Sequence, residues 1–251
     1  MEERVFAVHS TLKALDDASA ASAQPDGDAT AAPDLRAVLR LATAELHRYL
    51  DRAPDHRALL APDITLQRYT TIMAKHHHAL TISEATLVSL EHAHPSYLPP
   101  YRRRLPALDA DLATLGTPGR STIQPGASDV PSAEPATAMD PSVARGRYLG
   151  TRYVLEGSTQ GAAFIARRLE EHLPALSANA FAYWRVQAEE AIAWQAFARS
   201  LASLPARGEL ASAAIAAARD TFGAFLRAFG VDAPEASLPP EPEGPRVRAP
   251  R

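Results

Sequence analysis

The sequence predicts an all-α fold, a multi-helix bundle in a single domain, and three observations predict it. Apolar residues recur at i, i+3 and i+4 through every segment long enough to build a core. No segment alternates apolar and polar residues as a half-buried strand would. Helix punctuation sits at the ends of the periodic segments: Asp140-Pro141 reads as an N-cap and first-turn proline, and Gly116 and Gly230 as stops.

In chain order, residues 1–33 read as a flexible N-terminal extension. Within it, Val5, Val8, Leu12 and Leu15 give residues 2–17 a weak helical stripe. Residues 18–33, ASAASAQPDGDATAAP, have linker composition. The helical domain spans 34–230. Its first helix, 34–53, places Leu35, Val38, Leu39, Ala42, Leu46 and Leu50 on one face. The second, 65–92, uses Leu66, Tyr69, Ile72, Met73, Leu80, Leu87 and Leu90. The third, 98–115, uses Leu105, Leu108, Leu112 and Leu115. A proline- and serine-rich flexible loop, 116–140, follows. A long helix then runs Pro141–His172 and stops before Pro174. Residues 178–204 carry Phe181, Trp184, Ile192, Trp194, Phe197 and Leu201 on a core face, and 208–229 is alanine-rich with Phe222, Phe225, Leu226 and Phe229. Residues 231–251 end in PPEPEGPRVRAPR and read as a disordered tail.

Composition removes several function classes. The 251 residues carry a formal net charge of -3, which gives no electrostatic case for nucleic acid or an anionic membrane. The absence of cysteine excludes a disulfide framework and thiolate ligation, and agrees with a reducing cytoplasm. No apolar run reaches the ~20 residues of a membrane span. MEERVFAVHS lacks the layout of a signal peptide and is too acidic for a transit peptide.

The most informative segment is Pro141–His172. Of the 12 glycines, Gly146, Gly150, Gly157 and Gly161 fall in it. At about 100° per residue they lie within about 60° of one another. Each costs an interior helix roughly 1 kcal/mol relative to alanine. A bare stripe of this kind suits either a flat ligand lying on backbone or the close approach of another helix, and Gly146 and Gly150 fit the second reading as readily as the first.

Two longer stretches carry a resemblance. LRLATAELHRYLD (39–51) resembles the proximal-helix signature of haem oxygenases, a Leu-Arg-x-Ala-Thr-x-x-x-His-x-x-Leu-Asp/Glu pattern. YVLEGSTQGAAFIARRLEEHLPALS (153–177) is similar to the distal-helix signature of the bacterial, biliverdin-producing branch that includes partners of bacteriophytochromes. YRRRLPALDADLATLG (101–116) and WQAFARSL (194–201) match the segments between and after them, so the resemblance covers roughly 34–230 in order. It implies haem between a proximal and a distal helix, serving as both substrate and cofactor. It implies O2, an external reductase or ferredoxin as electron donor, and a product, biliverdin, released with carbon monoxide and ferrous iron. A biliverdin acceptor such as a bacteriophytochrome is the expected partner.

Residue by residue, the resemblance assigns His47 as the axial ligand of the haem iron. It assigns Gly157 and Gly161 as the distal glycines that pack on haem, with Ser158 beside them where the mammalian branch has aspartate. Arg40, two turns before His47, is its candidate for the propionates, with Tyr153 and Arg199 behind it. The chain departs from the pattern at Gln160, at Glu189-Glu190 and at His76-His77-His78. His77, Glu84 and Glu45 leave open a non-haem di-iron oxidase on the same fold, and a non-catalytic haem carrier is the other alternative. Arg102-Arg103-Arg104 reads first as a solvated face and second as a docking patch for an acidic electron donor.

Overall fold

The computed structural model describes residues 33–116 and 139–232. The expected N-terminal helix and linker, most of the 116–140 loop and the C-terminal tail lie outside the described residues. Within them the chain forms helices α1 (Leu35–Arg52), α2 (Pro54–Ala58), α3 (Leu66–Ser89), α4 (Leu105–Thr114), α5 (Pro141–Gly157), α6 (Ala162–His172), α7 (Ala182–Ala202) and α8 (Gly208–Ala228). The only β-type pairing among the described residues is an isolated bridge, Asp34 to Pro205. The amide of Leu35 donates to Leu204 O at 2.8 Å, so the start of α1 is tied to the α7–α8 connection.

The helices start where the sequence supplies caps. Asp34 accepts from the Ala37 amide at 2.7 Å, Thr65 from Arg68 at 3.2 Å and Asp140 from Ser142 at 2.7 Å. α7 is capped from another helix: buried Asp111 of α4 accepts from the amides of Ala182 and Tyr183 at 2.8 and 2.9 Å. Gly116 and Gly230 follow α4 and α8 with φ of 76° and 66°, the left-handed conformation that suits glycine at a helix stop.

The core is continuous. α1 buries Leu35, Leu39, Leu46 and Leu50, and α8 buries Ala211, Ala214, Ala218, Phe222 and Phe225. α8 is the central element: α5, α1 and α3 all pack on it, while α6 packs chiefly on α7. Among the described residues, no helix is long and apolar enough to cross a membrane.

Three expectations need correction. α4 begins only at Leu105, because residues 99–104 open on two prolines and form no regular secondary structure. Leu66 and Ile192, both placed on core faces, are 48% and 81% exposed. The glycine-striped segment is two helices joined by a 3-10 turn, Ser158–Gly161.

Candidate functional site

His47 stands on the outer side of α1 with its side chain 61% exposed. Its Nδ1 lies 2.8 Å from Oδ2 of Asp51, one turn on. A carboxylate on Nδ1 holds the proton there and leaves Nε2 as the atom with a lone pair to offer a metal. The ring edge meets Phe222 of α8 at 5.9 Å between centroids, so α8 fixes the ring from behind. Asp51 was visible in the sequence only as the acidic end of the motif. The structure gives it a task.

The break after α5 follows from its residues. Ser158 Oγ donates back to Leu155 O at 2.7 Å, and Thr159 Oγ1 to Glu156 O at 2.7 Å. Hydroxyls that take up carbonyls of the preceding turn bend helices, and glycines on both sides lower the cost. Periodicity of apolar residues does not register either effect.

The four glycines divide into two pairs. A Cβ on Gly146 would collide with the Leu210 carbonyl of α8, and one on Gly150 with the Ala214 carbonyl. These two are demanded by helix packing. Gly157 and Gly161 are not. A Cβ on Gly157 would meet only Cη2 and Cζ3 of Trp194 at 3.6 and 3.7 Å, and one on Gly161 only Ile165 Cδ1 at 4.0 Å. Among the described residues, then, no backbone crowds these two positions.

Behind the turn lies a buried ionic cluster that sequence reasoning missed. Arg104 is 1% exposed, so the solvated-face reading of the Arg102–Arg104 run fails at its last residue. Its guanidinium donates to Leu155 O and to Glu156 Oε2, the second at 3.2 Å. Arg152, also buried, donates to Glu156 Oε1 at 3.1 Å and to Pro99 O at 2.7 Å. Glu84 accepts from the Arg104 amide at 2.6 Å, Tyr101 at 3.2 Å and Arg103 at 3.3 Å. Arg102 and Arg103 do fit the surface reading: Arg102 pairs with Glu189 and Glu190 at 2.8 and 3.2 Å, and Arg103 keeps its side chain 57% exposed while reaching Glu84. The i, i+4 pair Arg152/Glu156 was the one signal of this cluster in the sequence. Arg104 gave none, because three consecutive arginines look alike until a fold separates them.

The cluster reaches the turn through Gln187 of α7. Gln187 Oε1 is 3.5 Å from Arg104 Nη1 and 3.1 Å from Ser158 Oγ. Gln160 Nε2 donates to Ala191 O at 3.4 Å. Tyr153 packs its ring on Trp194 at 5.6 Å. Arg40 and Arg199 have exposed side chains on α1 and α7.

The three adjacent histidines diverge. His77 Nε2 pairs with Asp109 at 2.8 Å, and His78 is half-buried. His76 is buried in a cage of Phe229, Trp184, Tyr183 and His56 rings, with centroids 5.1–5.8 Å away. Neither of its nitrogens, nor the Trp184 indole N–H, finds a hydrogen-bond partner among the described residues. Burial, and then the neighbouring His56, pushes the His76 pKa down to about 3. Among the described residues no group of three or more histidine and carboxylate side chains is placed to hold a metal ion. Glu84 and His77, candidates for a di-iron site, are spent on arginines, a tyrosine and an aspartate.

Comparison with known proteins bears on this geometry. The family model described as "Heme oxygenase" matches residues 33–230. A "Heme oxygenase" of Xanthomonas campestris pv. campestris (strain 8004) is 30% identical over 177 residues, covering 70% of this chain and 98% of that protein. Two solved structures share the fold. Heme oxygenase-1 from the cyanobacterium Synechocystis sp. PCC6803, in complex with heme, superposes with a TM-score of 0.57 at 16% identity over 78% of this chain and 91% of its own. Heme oxygenase from Leptospira interrogans gives 0.53 at 16% identity over 78% and 98%.

Proposed function

The chain belongs to the haem oxygenase family, and from that membership we propose that it opens haem to biliverdin, with His47 on the iron and the Gly157–Gly161 turn as the opposite wall. Carbon monoxide and ferrous iron are the other products. The observation that carries the site is the contrast among the glycines. Gly146 and Gly150 face backbone that a side chain would strike, whereas at Gly157 and Gly161 the described residues offer an added Cβ no contact closer than 3.6 Å. A flat ligand accounts for keeping two poor helix formers there.

When bound, haem supplies the chemistry: its iron activates O2, and its own macrocycle is what is oxidised. The protein's residues position and shield. His47 offers Nε2, and Asp51 on Nδ1 raises its basicity and fixes the ring. The glycine turn lets the macrocycle approach backbone and keeps the space over it low. Ser158 brings a hydroxyl to that turn, backed by Gln187 and the buried Arg104–Glu156–Arg152 cluster. Arg40 and Arg199 carry guanidinium groups suited to carboxylates, and Tyr153 a hydroxyl, so these three are the propionate partners.

Electrons come from an external reductase or ferredoxin. A cytoplasmic site of action agrees with that need for a reduced donor. Biliverdin passes to an acceptor such as a bacteriophytochrome.

The test is to load the full chain with hemin, add a reducing system in air, and follow the Soret band while chromatography identifies the pigment. The enzyme destroys its haem and yields biliverdin. A protein that keeps its haem unchanged under those conditions is a carrier.

A further inference from the structure

The two ends of the glycine turn have unlike neighbours. At Gly161 the nearest atom to an added Cβ is one methyl, Ile165 Cδ1 at 4.0 Å. At Gly157 it is the six-membered edge of the Trp194 indole, at 3.6 and 3.7 Å. That indole is braced on both sides. Tyr153, one turn before Gly157, packs on it at 5.6 Å between centroids, and Phe197, one turn after Trp194, at 6.2 Å. Phe197 is itself buried under the Arg152 guanidinium, 5.0 Å from the ring centroid.

The helix carrying Trp194 is also held in register against the turn. Gln187, Ala191 and Trp194 stand at i, i+4 and i+7, one face of α7. Each meets a different residue of the turn region: Gln187 meets Ser158, Ala191 meets Gln160, and Trp194 meets Gly157. The indole is therefore a fixed wall at the Gly157 end of the turn.

We propose that Trp194 is a specificity-determining residue of the haem site. It closes the Gly157 end of the space over the bound macrocycle and directs oxidation to the meso bridge lying at the Gly161 end. The four meso bridges are equally far from the iron, so distance does not select among them. A bulky side chain over one part of the ring does. This inference rests on haem lying against the glycine turn.

The experiment compares the full-length parent with Trp194→Ala and Trp194→Leu, the second keeping apolar bulk against Phe197. Without reductant, the ferric haem complexes are titrated with phenylimidazole, a bulky ligand, and with cyanide, a small one. Removing the wall should tighten phenylimidazole binding by about tenfold or more, as expected for a pocket that gains room, with cyanide affinity unchanged. With reductant, both variants should release a second biliverdin isomer that the parent does not make. Variants that match the parent in ligand discrimination overturn the wall. Variants that bind phenylimidazole more tightly but still make the parent's isomer overturn the steering. A parent that holds no hemin defeats the haem reading itself, a result separable from either.

Discussion

A histidine whose Nδ1 is already bound to a carboxylate is a prepared metal ligand, because its tautomer and its orientation are settled before the metal arrives. His47 has that arrangement through Asp51. His47→Ala should lose the imidazole–iron spectrum and most haem turnover, and added imidazole should restore part of both. An axial-ligand spectrum unchanged from the parent would remove His47 from the site. His76 is the opposite case, a buried imidazole neither of whose nitrogens finds a partner among the described residues. Its pKa falls from 6.5 to about 3 in the folded chain. The unfolded chain takes up a proton below its ordinary pKa and the native protein does not. Folding stability therefore declines as pH falls through that window, by up to about 1.4 kcal/mol per pH unit, and is untouched by this group above it. His76→Phe keeps the ring in the cage and should flatten the decline, read as Tm between about pH 7 and pH 4. A variant with the parent's acid sensitivity would show that other groups govern it. At this scale the sequence was legible where helical period set a residue's burial, as for buried Leu39 and Leu46. It was illegible for Arg104 and Gln187, whose partners come from helices far along the chain.

At the scale of elements, glycine has two meanings here, and substitution separates them. Gly150→Ala puts a methyl onto the Ala214 carbonyl, so α5 must move off α8. Overpacking of this kind typically costs about 1–3 kcal/mol. Gly161→Ala enters open space at φ -95°, which suits an L residue. It should be neutral or stabilise by about 0.4–1 kcal/mol. Chemical denaturation measures both, and equal losses would erase the distinction. A larger side chain shows what the open pair is for. Gly161→Leu should fold and keep His47 on iron but lose ring opening, measured as single-turnover biliverdin yield. Helix positions were mostly legible, since apolar period and caps agree along α1, α3 and α8. The break at Ser158 was not, because it arises from two hydroxyls competing for carbonyls inside an unbroken apolar pattern.

At the scale of the molecule, the family match spans 33–230 and the described helices fall within it. Removal of residues 1–30 and 236–251 should leave haem turnover largely intact. A folded truncated chain that binds no haem would show that the domain extends further. The interlock of α5 on α8 also bears on how product leaves. α5 cannot slide along α8, since a shift of one residue would drive a side chain into the carbonyls that Gly146 and Gly150 now clear. α1 and α5 share that same neighbour, whereas α6 is seated on α7. The long arm of the distal segment is thus locked on α8, whereas its short arm rests on α7. Widening of the proposed haem cleft is then expected in α6 rather than in α5. Amide hydrogen exchange should be slow through α5 with or without haem and should change on haem loss in α6, the outcome expected if the traffic of a large rigid cargo is carried by one short helix.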